Sequence, residues 1–212
     1  MSDLHSRIDK LIGGVRIQSK LKNGIGTLGC VVFDKNTNKP LGLTNRHILK
    51  KRRGFSVIQP SGKRRSEEYV IGKILRKGGR GQSNDFAVFE LDLNNRDYDR
   101  DNSIFGLNGL ISSMIDPAEG MKVQKVGQRT GRTFGIIESI KSQTIIIKPN
   151  PDKFNEEISD GGDSGALWVT DEDNFKAVGL HRAGEPSKLN NSKDMAFAIP
   201  IKRVMNILNC KF

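Results

Sequence analysis

Short apolar runs separated by glycine-rich or polar turns fill most of this 212-residue chain and constrain its fold more than any other feature. The runs are rich in Val and Ile, and 23 glycines are spread among them, which is typical of strands joined by turns. No strand alternates with a long helical segment, so the pattern disfavours a parallel α/β sheet. The sequence therefore predicts an all-β protein built from antiparallel strands.

The strand candidates fall into two groups, of about six and five strands, which favour two small antiparallel β-barrels. Residues 13–95 hold the first group, residues 116–199 hold the second, and the stretch between them, residues 96–115, starts polar and is predicted to be an inter-barrel linker. The apolar residues of the final segment keep helical spacing, so we expect a C-terminal helix over residues 200–212. Residues 1–12 are predicted to form a short amphipathic helix or an arm.

The chain is basic, with 35 Lys and Arg against 24 Asp and Glu and a formal net charge of +11. The cations cluster at residues 50–53 and 63–65. Such a balance permits attraction to nucleic acid or to acidic partners. However, no aromatic residues interleave with the two runs as a base-stacking platform requires. We therefore favour a solvated basic face over nucleic-acid binding.

The sequence contains neither the apolar core of a signal peptide nor an apolar run long enough to span a membrane. Its two cysteines, Cys30 and Cys210, are too few for a secreted disulfide scaffold. We therefore expect a cytoplasmic protein with no membrane partner. Metal-binding patterns such as H-E-x-x-H or paired cysteines are absent from the sequence, so we expect no metal and no cofactor. The sequence does not determine the oligomeric state.

A Gly-Asp-Ser-Gly turn at residues 162–165 stands directly before the apolar run at residues 166–169. A serine hydroxyl becomes a useful nucleophile when a base takes its proton and when donors stabilise the developing oxyanion. A glycine-rich turn can point the N–H groups of Gly162 and Ser164 at one carbonyl oxygen. The same four residues also occur as an ordinary turn before a strand, so the motif needs partners elsewhere in the chain.

A base and an acid occur at positions where they can serve this serine. His47 follows a strand end, where a side chain can project into a cleft. Asp85 begins the strand-like run DFAVFEL, where a carboxylate is awkward for structure alone. The chain order His47, Asp85, Ser164 is that of the chymotrypsin arrangement. These three residues are the predicted catalytic triad.

Three blocks of the sequence resemble the signature blocks of chymotrypsin-like serine proteases: TNRHIL at residues 44–49, NDFAVFEL at residues 84–91 and GGDSGA at residues 161–166. Further similarity to bacterial trypsin-like peptidases lies in GTLGC at residues 26–30, the G-x-x-T-G-x-T-x-G block at residues 127–135 and AVGLHRAG at residues 177–184. The resemblance spans roughly residues 13–208.

The resemblance implies two six-stranded barrels with the active site between them. It implies a serine endopeptidase that cleaves protein or peptide substrates through an acyl-enzyme intermediate. His47 would be the general base, Asp85 would orient it and Ser164 would be the nucleophile. The N–H groups of Gly162 and Ser164 would form the oxyanion hole. The strand from Leu180 to Gly184, which contains Arg182 and Ala183, would pair with the substrate backbone as an added β-strand.

One implied structural site lies next to the serine. A buried Asp163 would need a cation or several hydrogen-bond donors. Bacterial members use a basic residue from the region of Lys125 and Arg129, and we expect one of these two to supply the charge. Many secreted members lock the histidine loop with a disulfide, whereas Ile48 follows His47 here, which agrees with a reducing compartment.

The specificity pocket is less strongly defined by the sequence. Ile158 stands where trypsin-type members carry an acidic residue, so a preference for Lys or Arg beside the scissile bond is not supported in the usual way. Ser159 and His181 resemble the hydroxyl and the histidine of glutamate-specific relatives, and such a pair can bind a carboxylate. Two alternatives stay open: His181 is a structural strand residue, or Asp194 reaches the pocket and favours basic side chains.

A second function class also fits the sequence. A protease-like fold can lose catalysis and act as a basic module that binds nucleic acid or a partner protein. The presence of all three triad residues favours the enzyme over this alternative.

Overall fold

The computed structural model describes residues 4–20, 24–50, 52–60, 66–153, 157–172, 174–185 and 194–212. The basic run at residues 63–65 lies outside the described residues. The described chain forms the following elements, given in order: β1 (Lys10–Leu11), β2 (Arg16–Ser19), β3 (Ile25–Thr27), β4 (Cys30–Asp34), β5 (Pro40–Thr44), β6 (Ser56–Ile58), β7 (Val70–Lys77), β8 (Ala87–Leu91), β9 (Asp97–Tyr98), β10 (Ile111–Met114), β11 (Lys122–Gly127), β12 (Gly131–Lys141), β13 (Thr144–Pro149), β14 (Leu167–Thr170), β15 (Phe175–Glu185), β16 (Met195–Pro200), α1 (Ile201–Leu208) and β17 (Cys210–Lys211).

The second half of the chain forms a closed barrel. Its strands pair in the order β15, β14, β11, β12, β13 and β16, and β16 pairs again with β15 to close the ring. All six pairings are antiparallel, and β10 adds to β15 in parallel outside the ring. Closure removes the exposed strand edges that an open sheet would present.

The first half forms a curled sheet in the order β17, β4, β5, β8, β7, β6, β2 and β3, with antiparallel pairing throughout. Within the described residues its two edge strands, β17 and β3, do not pair with each other, so this sheet is a half-barrel. The predicted all-β class with two barrel-like halves and a C-terminal helix is confirmed, with one barrel closed and the other open.

An apolar interface joins the two halves. One hydrophobic cluster contains Val32 and Leu43 from the first sheet, Leu167 and Leu180 from the barrel, and Val204 from α1. All five side chains are buried. Burial of such side chains contributes roughly 1.5–3 kcal/mol each, so this interface fixes the relative position of the halves.

The structure gives the detail of three predicted segments. Residues 4–12 form turns and the short strand β1 instead of a helix, so the segment is an arm, and residues 1–3 lie outside the described residues. The linker at residues 96–115 contains β9 and β10. The C-terminal helix ends at Leu208, because Asn209 adopts a left-handed conformation, and β17 then pairs with β4.

The described residues contain no helix that is long and apolar enough to cross a membrane. Both cysteines carry free thiols and are buried.

Arg96 ties the N-terminal arm to the first sheet. Its guanidinium is buried and donates to the carbonyl oxygen of Ile8 at 2.5 Å, to Oε1 of Gln59 at 2.9 Å and to the carbonyl oxygen of Gln59 at 3.2 Å. Gln59 in turn accepts from the N–H of Ile8 and donates to the carbonyl oxygen of Ser6. Arg96 and Gln59 therefore satisfy backbone groups of Ser6 and Ile8, which precede β1 in the arm. The two residues of β1 pair in parallel with β9.

We predict that Arg96→Met lowers the free energy of unfolding by about 3 kcal/mol, because it leaves several buried acceptors without donors. Arg100→Met is the matched control, since the Arg100 side chain is 72% exposed and pairs only loosely with Asp97 at 3.7 Å. Its expected cost is below about 1 kcal/mol. Urea denaturation of both variants measures the two values. Equal costs would show that the Arg96 contacts do not hold the arm.

Candidate active site

His47 and Asp85 meet at one end of the first sheet. β5 and β8 are neighbours, with Thr44 opposite Ala87, so the residues just beyond these ends lie close together. His47 Nδ1 lies 2.6 Å from Asp85 Oδ2, and the backbone N–H of His47 donates to Asp85 Oδ1 at 2.9 Å. The carboxylate therefore holds both the ring and the backbone of His47, and a proton on Nδ1 leaves Nε2 as the basic nitrogen.

Ser164 lies on the turn that enters β14, and two glycines make that turn possible. Gly162 and Gly165 have φ values of +120° and +95°, in the region that favours glycine. A Cβ on Gly165 would lie only 2.3 Å from both the carbonyl oxygen of Thr27 and Oγ1 of Thr44. The turn therefore packs directly against the first sheet, on the strands that precede His47.

Two N–H groups of this turn have no acceptor among the described residues. The N–H groups of Asp163, Gly165 and Ala166 donate to carbonyl oxygens at 2.9–3.1 Å, whereas those of Gly162 and Ser164 donate to none. Two such groups, one residue apart on a glycine turn, can bind one developing oxyanion.

The Ser164 hydroxyl is directed at β15. Its Oγ donates to the carbonyl oxygen of Arg182 at 3.1 Å, so the hydroxyl proton is engaged by Arg182 rather than by His47. Proton transfer to His47 requires the hydroxyl to give up its hydrogen bond to Arg182.

Thr27 connects the serine turn to the first sheet. Its N–H donates to the carbonyl oxygen of Ser164 at 2.8 Å, and its hydroxyl donates to the carbonyl oxygen of Gly162 at 3.0 Å. The Thr27 carbonyl oxygen accepts from Oγ1 of Thr44 at 2.8 Å, and its hydroxyl accepts from the N–H of Gln128 at 3.1 Å. One buried residue thus fixes the turn against the strand end that leads to His47.

Asp163 is fully buried and is neutralised by Lys125. Lys125 Nζ lies 2.8 Å from Asp163 Oδ2, and neither side chain is exposed. Thr130 donates to the same oxygen at 2.6 Å, and the N–H groups of Arg129 and Thr130 donate to Oδ1 at 3.0 and 3.1 Å. Burial raises the pKa of Asp163, but the charge of Lys125 and these hydrogen bonds outweigh it and hold the pKa at about 2.

Of the two cations expected beside Asp163, the side chain of Lys125 makes the contact. The side chain of Arg129 points outward and pairs with Asp160 at 3.1 Å. Since the folded pKa of Asp163 lies below its ordinary value of 3.8, this ionised carboxylate stabilises the fold above pH 3.8. That contribution is lost as the pH falls towards 2.

A cavity of 260 Å³ opens beside Ser164. Ser159 and His181 line it, together with the β15 residues Arg182, Ala183 and Gly184. A Cβ on Gly184 would lie 2.5 Å from Ser159 Oγ, so only glycine leaves room for that hydroxyl. The structure therefore brings the serine and five of the six predicted substrate-binding residues to one cavity.

His181 is buried in a defined tautomer. Trp168 Nε1–H donates to His181 Nδ1 at 3.3 Å, which requires the other ring proton on Nε2. His181 Nε2 lies 2.8 Å from Ser159 Oγ and donates to it. Burial and the charge of Lys125 lower the pKa of His181 to about 3, so the ring is neutral near pH 7. The Ser159 hydroxyl keeps its own proton free to donate into the cavity.

Ile158 is the predicted substrate-binding residue that the structure places elsewhere. Its side chain is fully buried in the barrel core with Trp168, so the prediction for Ile158 is wrong. Its N–H donates to Oδ2 of Asp194 at 3.0 Å. This bond holds the Asp194 carboxylate on the backbone behind the cavity, and Asp194 is not among the described residues that line it.

Sequence comparisons find no relative, since no family model and no curated protein match the chain. Solved structures do match. Protease A of Thermobifida fusca aligns over 95% of this chain and 97% of its own, with a TM-score of 0.69 and 18% identity. A chymotrypsin of Cellulomonas bogoriensis aligns over 96% and 98%, with a TM-score of 0.66 and 15% identity. The chain has the chymotrypsin-like serine protease fold. A glutamic acid specific serine protease, described as using a histidine triad in substrate binding, has a TM-score of 0.70, 16% identity and coverage of 95% and 99%.

Several residues that build this candidate site are not evident from the sequence. Thr27, Thr130 and Trp168 contact the predicted residues but belong to no motif of the triad. Thr27 lies in the GTLGC block and Thr130 in the G-x-x-T-G block, so block membership was the signal that could have found them. Among the described residues, no three His, Cys, Asp or Glu side chains gather as a metal site requires.

We predict that Lys125→Met lowers the free energy of unfolding by about 3–5 kcal/mol, because it leaves the Asp163 carboxylate buried without its cation. Arg129→Met is the matched control. Its exposed pair with Asp160 is worth less than about 1 kcal/mol, and the N–H that binds Asp163 is retained. Urea denaturation followed by far-ultraviolet circular dichroism measures both. Similar losses in the two variants would contradict the assignment of Lys125.

Proposed function

We propose that the chain is a serine endopeptidase in which Ser164 is the nucleophile, His47 the general base and Asp85 the residue that orients His47. The bond of 2.6 Å between His47 Nδ1 and Asp85 Oδ2 is the observation that carries the proposal. It gives His47 the tautomer that a base requires, on the sheet end against which the serine turn packs.

The proposed reaction proceeds in two halves. His47 Nε2 takes the proton of Ser164 Oγ while the oxygen attacks the substrate carbonyl carbon. The carbonyl oxygen becomes an oxyanion and accepts from the N–H groups of Gly162 and Ser164. His47 then gives its proton to the leaving amine, and an acyl-enzyme ester remains. Water, activated by the same imidazole, hydrolyses the ester and restores Ser164.

Substrate binding also explains how the serine is released from β15. The segment from Arg182 to Gly184 pairs with β16 on one side and faces the cavity on the other. A substrate strand added there would donate a backbone N–H to the Arg182 carbonyl oxygen. That donor competes with the Ser164 hydroxyl, which is then free to rotate towards His47.

The second candidate is a catalytically silent fold with a basic binding surface. The bond from Ser164 to the Arg182 carbonyl oxygen is the observation that favours it, because a serine held there is not activated. The two candidates differ in whether Ser164 reacts.

We predict that a fluorophosphonate probe labels Ser164 and that His47→Ala slows labelling at least about a hundredfold, since general-base catalysis contributes that much. Ser164→Ala removes labelling. Ser113→Ala, which alters an exposed serine on β10, leaves the rate unchanged. Intact-protein mass spectrometry measures the rates. A folded protein that is never labelled, and that instead binds single-stranded DNA tightly and in a salt-sensitive manner, would support the silent fold.

We further propose that the enzyme prefers an acidic residue before the scissile bond. The Ser159 hydroxyl lines the cavity and has its own proton available to donate. Arg182 lines the same cavity, and the carboxylate of Asp160, which also lines it, is paired with Arg129. Because the pKa of His181 is about 3, the imidazole fixes Ser159 without carrying charge itself at pH 7. A carboxylate here accepts charge-assisted hydrogen bonds, which are stronger than neutral ones.

We predict that Ser159→Ala and Trp168→Phe each reduce the preference for Glu over Gln at this position about tenfold, the effect of losing one buried hydrogen bond to a charged group. Trp168→Phe acts through His181, because it removes the donor that fixes the imidazole tautomer. Ser113→Ala is the control. The ratio of kcat/KM for paired fluorogenic peptides measures the preference. A wild-type protein that cleaves both peptides equally would contradict an acidic preference.

We infer a reducing, cytoplasmic location, which the free and buried thiols of Cys30 and Cys210 support. Burial raises the pKa of both thiols, so neither is poised to react as a thiolate.

A further inference from the structure

A second cavity lies beside His47, apart from the cavity beside Ser164. It has a volume of 210 Å³ and is lined by Arg46, His47, Lys50, Lys77 and Asp85. Three of these five residues are cations that the proposed triad does not use. The cavity therefore places positive charge next to the candidate base.

The fold holds two of these cations in place. Lys77 is the last residue of β7 and pairs with Ala87, so it lies at the same sheet end as Asp85. Arg46 precedes His47 in the chain, and its Nη1 donates to the carbonyl oxygen of Gly79 at 2.9 Å, just beyond β7. Their positions follow from the same strand ends that position His47 and Asp85.

The lining of the cavity contains three cations and one carboxylate. Asp85 is the carboxylate in its lining, and His47 occupies both Asp85 oxygens through Nδ1 and the backbone N–H. Lys77 is partly buried, and burial together with the charge of Arg46 lowers the pKa of Lys77. An anion that enters the cavity would offset this repulsion between the cations.

We propose that this basic pocket binds an acidic side chain of the protein substrate, within two residues of the scissile bond. The proposal rests on the proposed function, because it takes His47 to lie beside the bond that is cleaved. An extended peptide advances about 3.3 Å per residue, so a pocket that shares His47 is reached only from positions close to that bond. The enzyme would then select an acidic residue at a second position, besides the one before the scissile bond.

A peptide carboxylate fits the pocket better than a nucleic acid does. The pocket is a single small cavity, and its lining contains no aromatic residue other than the His47 ring on which a base could stack. An acidic side chain can enter a cavity of this volume, and its charge is opposite to that of the three cations.

The test measures binding to Ser164→Ala, which cannot cleave and therefore does not depend on activity. The probes are fluorescent eight-residue peptides of alanine with one fixed Glu, to which a second Glu or a Gln is added at each other position in turn. We expect one position, within two residues of the fixed Glu, at which Glu binds about fivefold more tightly than Gln. Fluorescence polarisation measures the dissociation constants.

Lys77→Met in the Ser164→Ala background should bring this Glu-to-Gln ratio close to one. Because the ratio is taken within each variant, a general loss of binding cancels. Lys73→Met is the matched control, since Lys73 is exposed on the same strand and lies outside the pocket. It should keep the wild-type ratio. Raising the salt concentration should reduce the ratio as well, because exposed cations are screened.

Two outcomes would overturn the proposal. One is that no position prefers Glu over Gln. The other is that Lys77→Met leaves the ratio unchanged but weakens the binding of oligothymidylate, which would assign the cations to nucleic acid. Both are read separately from fluorophosphonate labelling at Ser164, so a failure of the basic pocket and a failure of the peptidase give distinguishable results.

Discussion

The buried ion pair between Lys125 and Asp163 is the constraint on which the serine turn depends. Removing a carboxylate and an ammonium from water costs several kcal/mol per ion, and this cost is recovered only when geometry and hydrogen bonds are good. Here Asp163 accepts from Lys125, from Thr130 and from three backbone N–H groups. Because so many donors must converge on one carboxylate, the residue before Ser164 has essentially one position. The position of Asp163 in turn fixes the backbone of the turn at residues 162–165.

The turn must also be placed relative to His47, and this requires the other half of the molecule. Thr27 belongs to β3 of the first sheet, yet it binds the carbonyl oxygens of Gly162 and Ser164. By occupying these carbonyl groups on the side that faces the first sheet, Thr27 leaves the N–H groups of the same residues directed elsewhere. The apolar interface fixes the two halves relative to each other, and the hydrogen bonds of Thr27 fix the position of the serine turn on the first sheet. Neither half contains a site without the other.

The sequence predicts those features of the site that depend on neighbouring residues in the chain. Strand periodicity and the glycine-rich turn are local patterns, and the order of His47, Asp85 and Ser164 identified the residues that the structure brings to the seam between the halves. Contacts between distant residues left no such pattern. The hydrogen bond from Thr27 to Gly162 joins residues that are 135 positions apart. The sequence around either residue contains no pattern that predicts this contact. Ile158 was misplaced for the same reason, because its position before Ser159 does not reveal that its side chain turns into the core.

The cavity beside Ser164 and the basic pocket beside His47 differ in how far their polar groups are buried, and they therefore respond differently to salt. The cavity beside Ser164 relies on buried donors, since His181 is fully enclosed and transmits its influence through the Ser159 hydroxyl. The basic pocket relies on cations that are at most partly buried, including the exposed Lys50. Hydrogen bonds from buried donors are little affected by ions in solution, whereas exposed charges are screened over roughly 8 Å at physiological ionic strength. Under the proposed function, a substrate with two acidic residues would therefore lose the contribution of the basic pocket first as the salt concentration rises, and the proposed selection beside the scissile bond would persist.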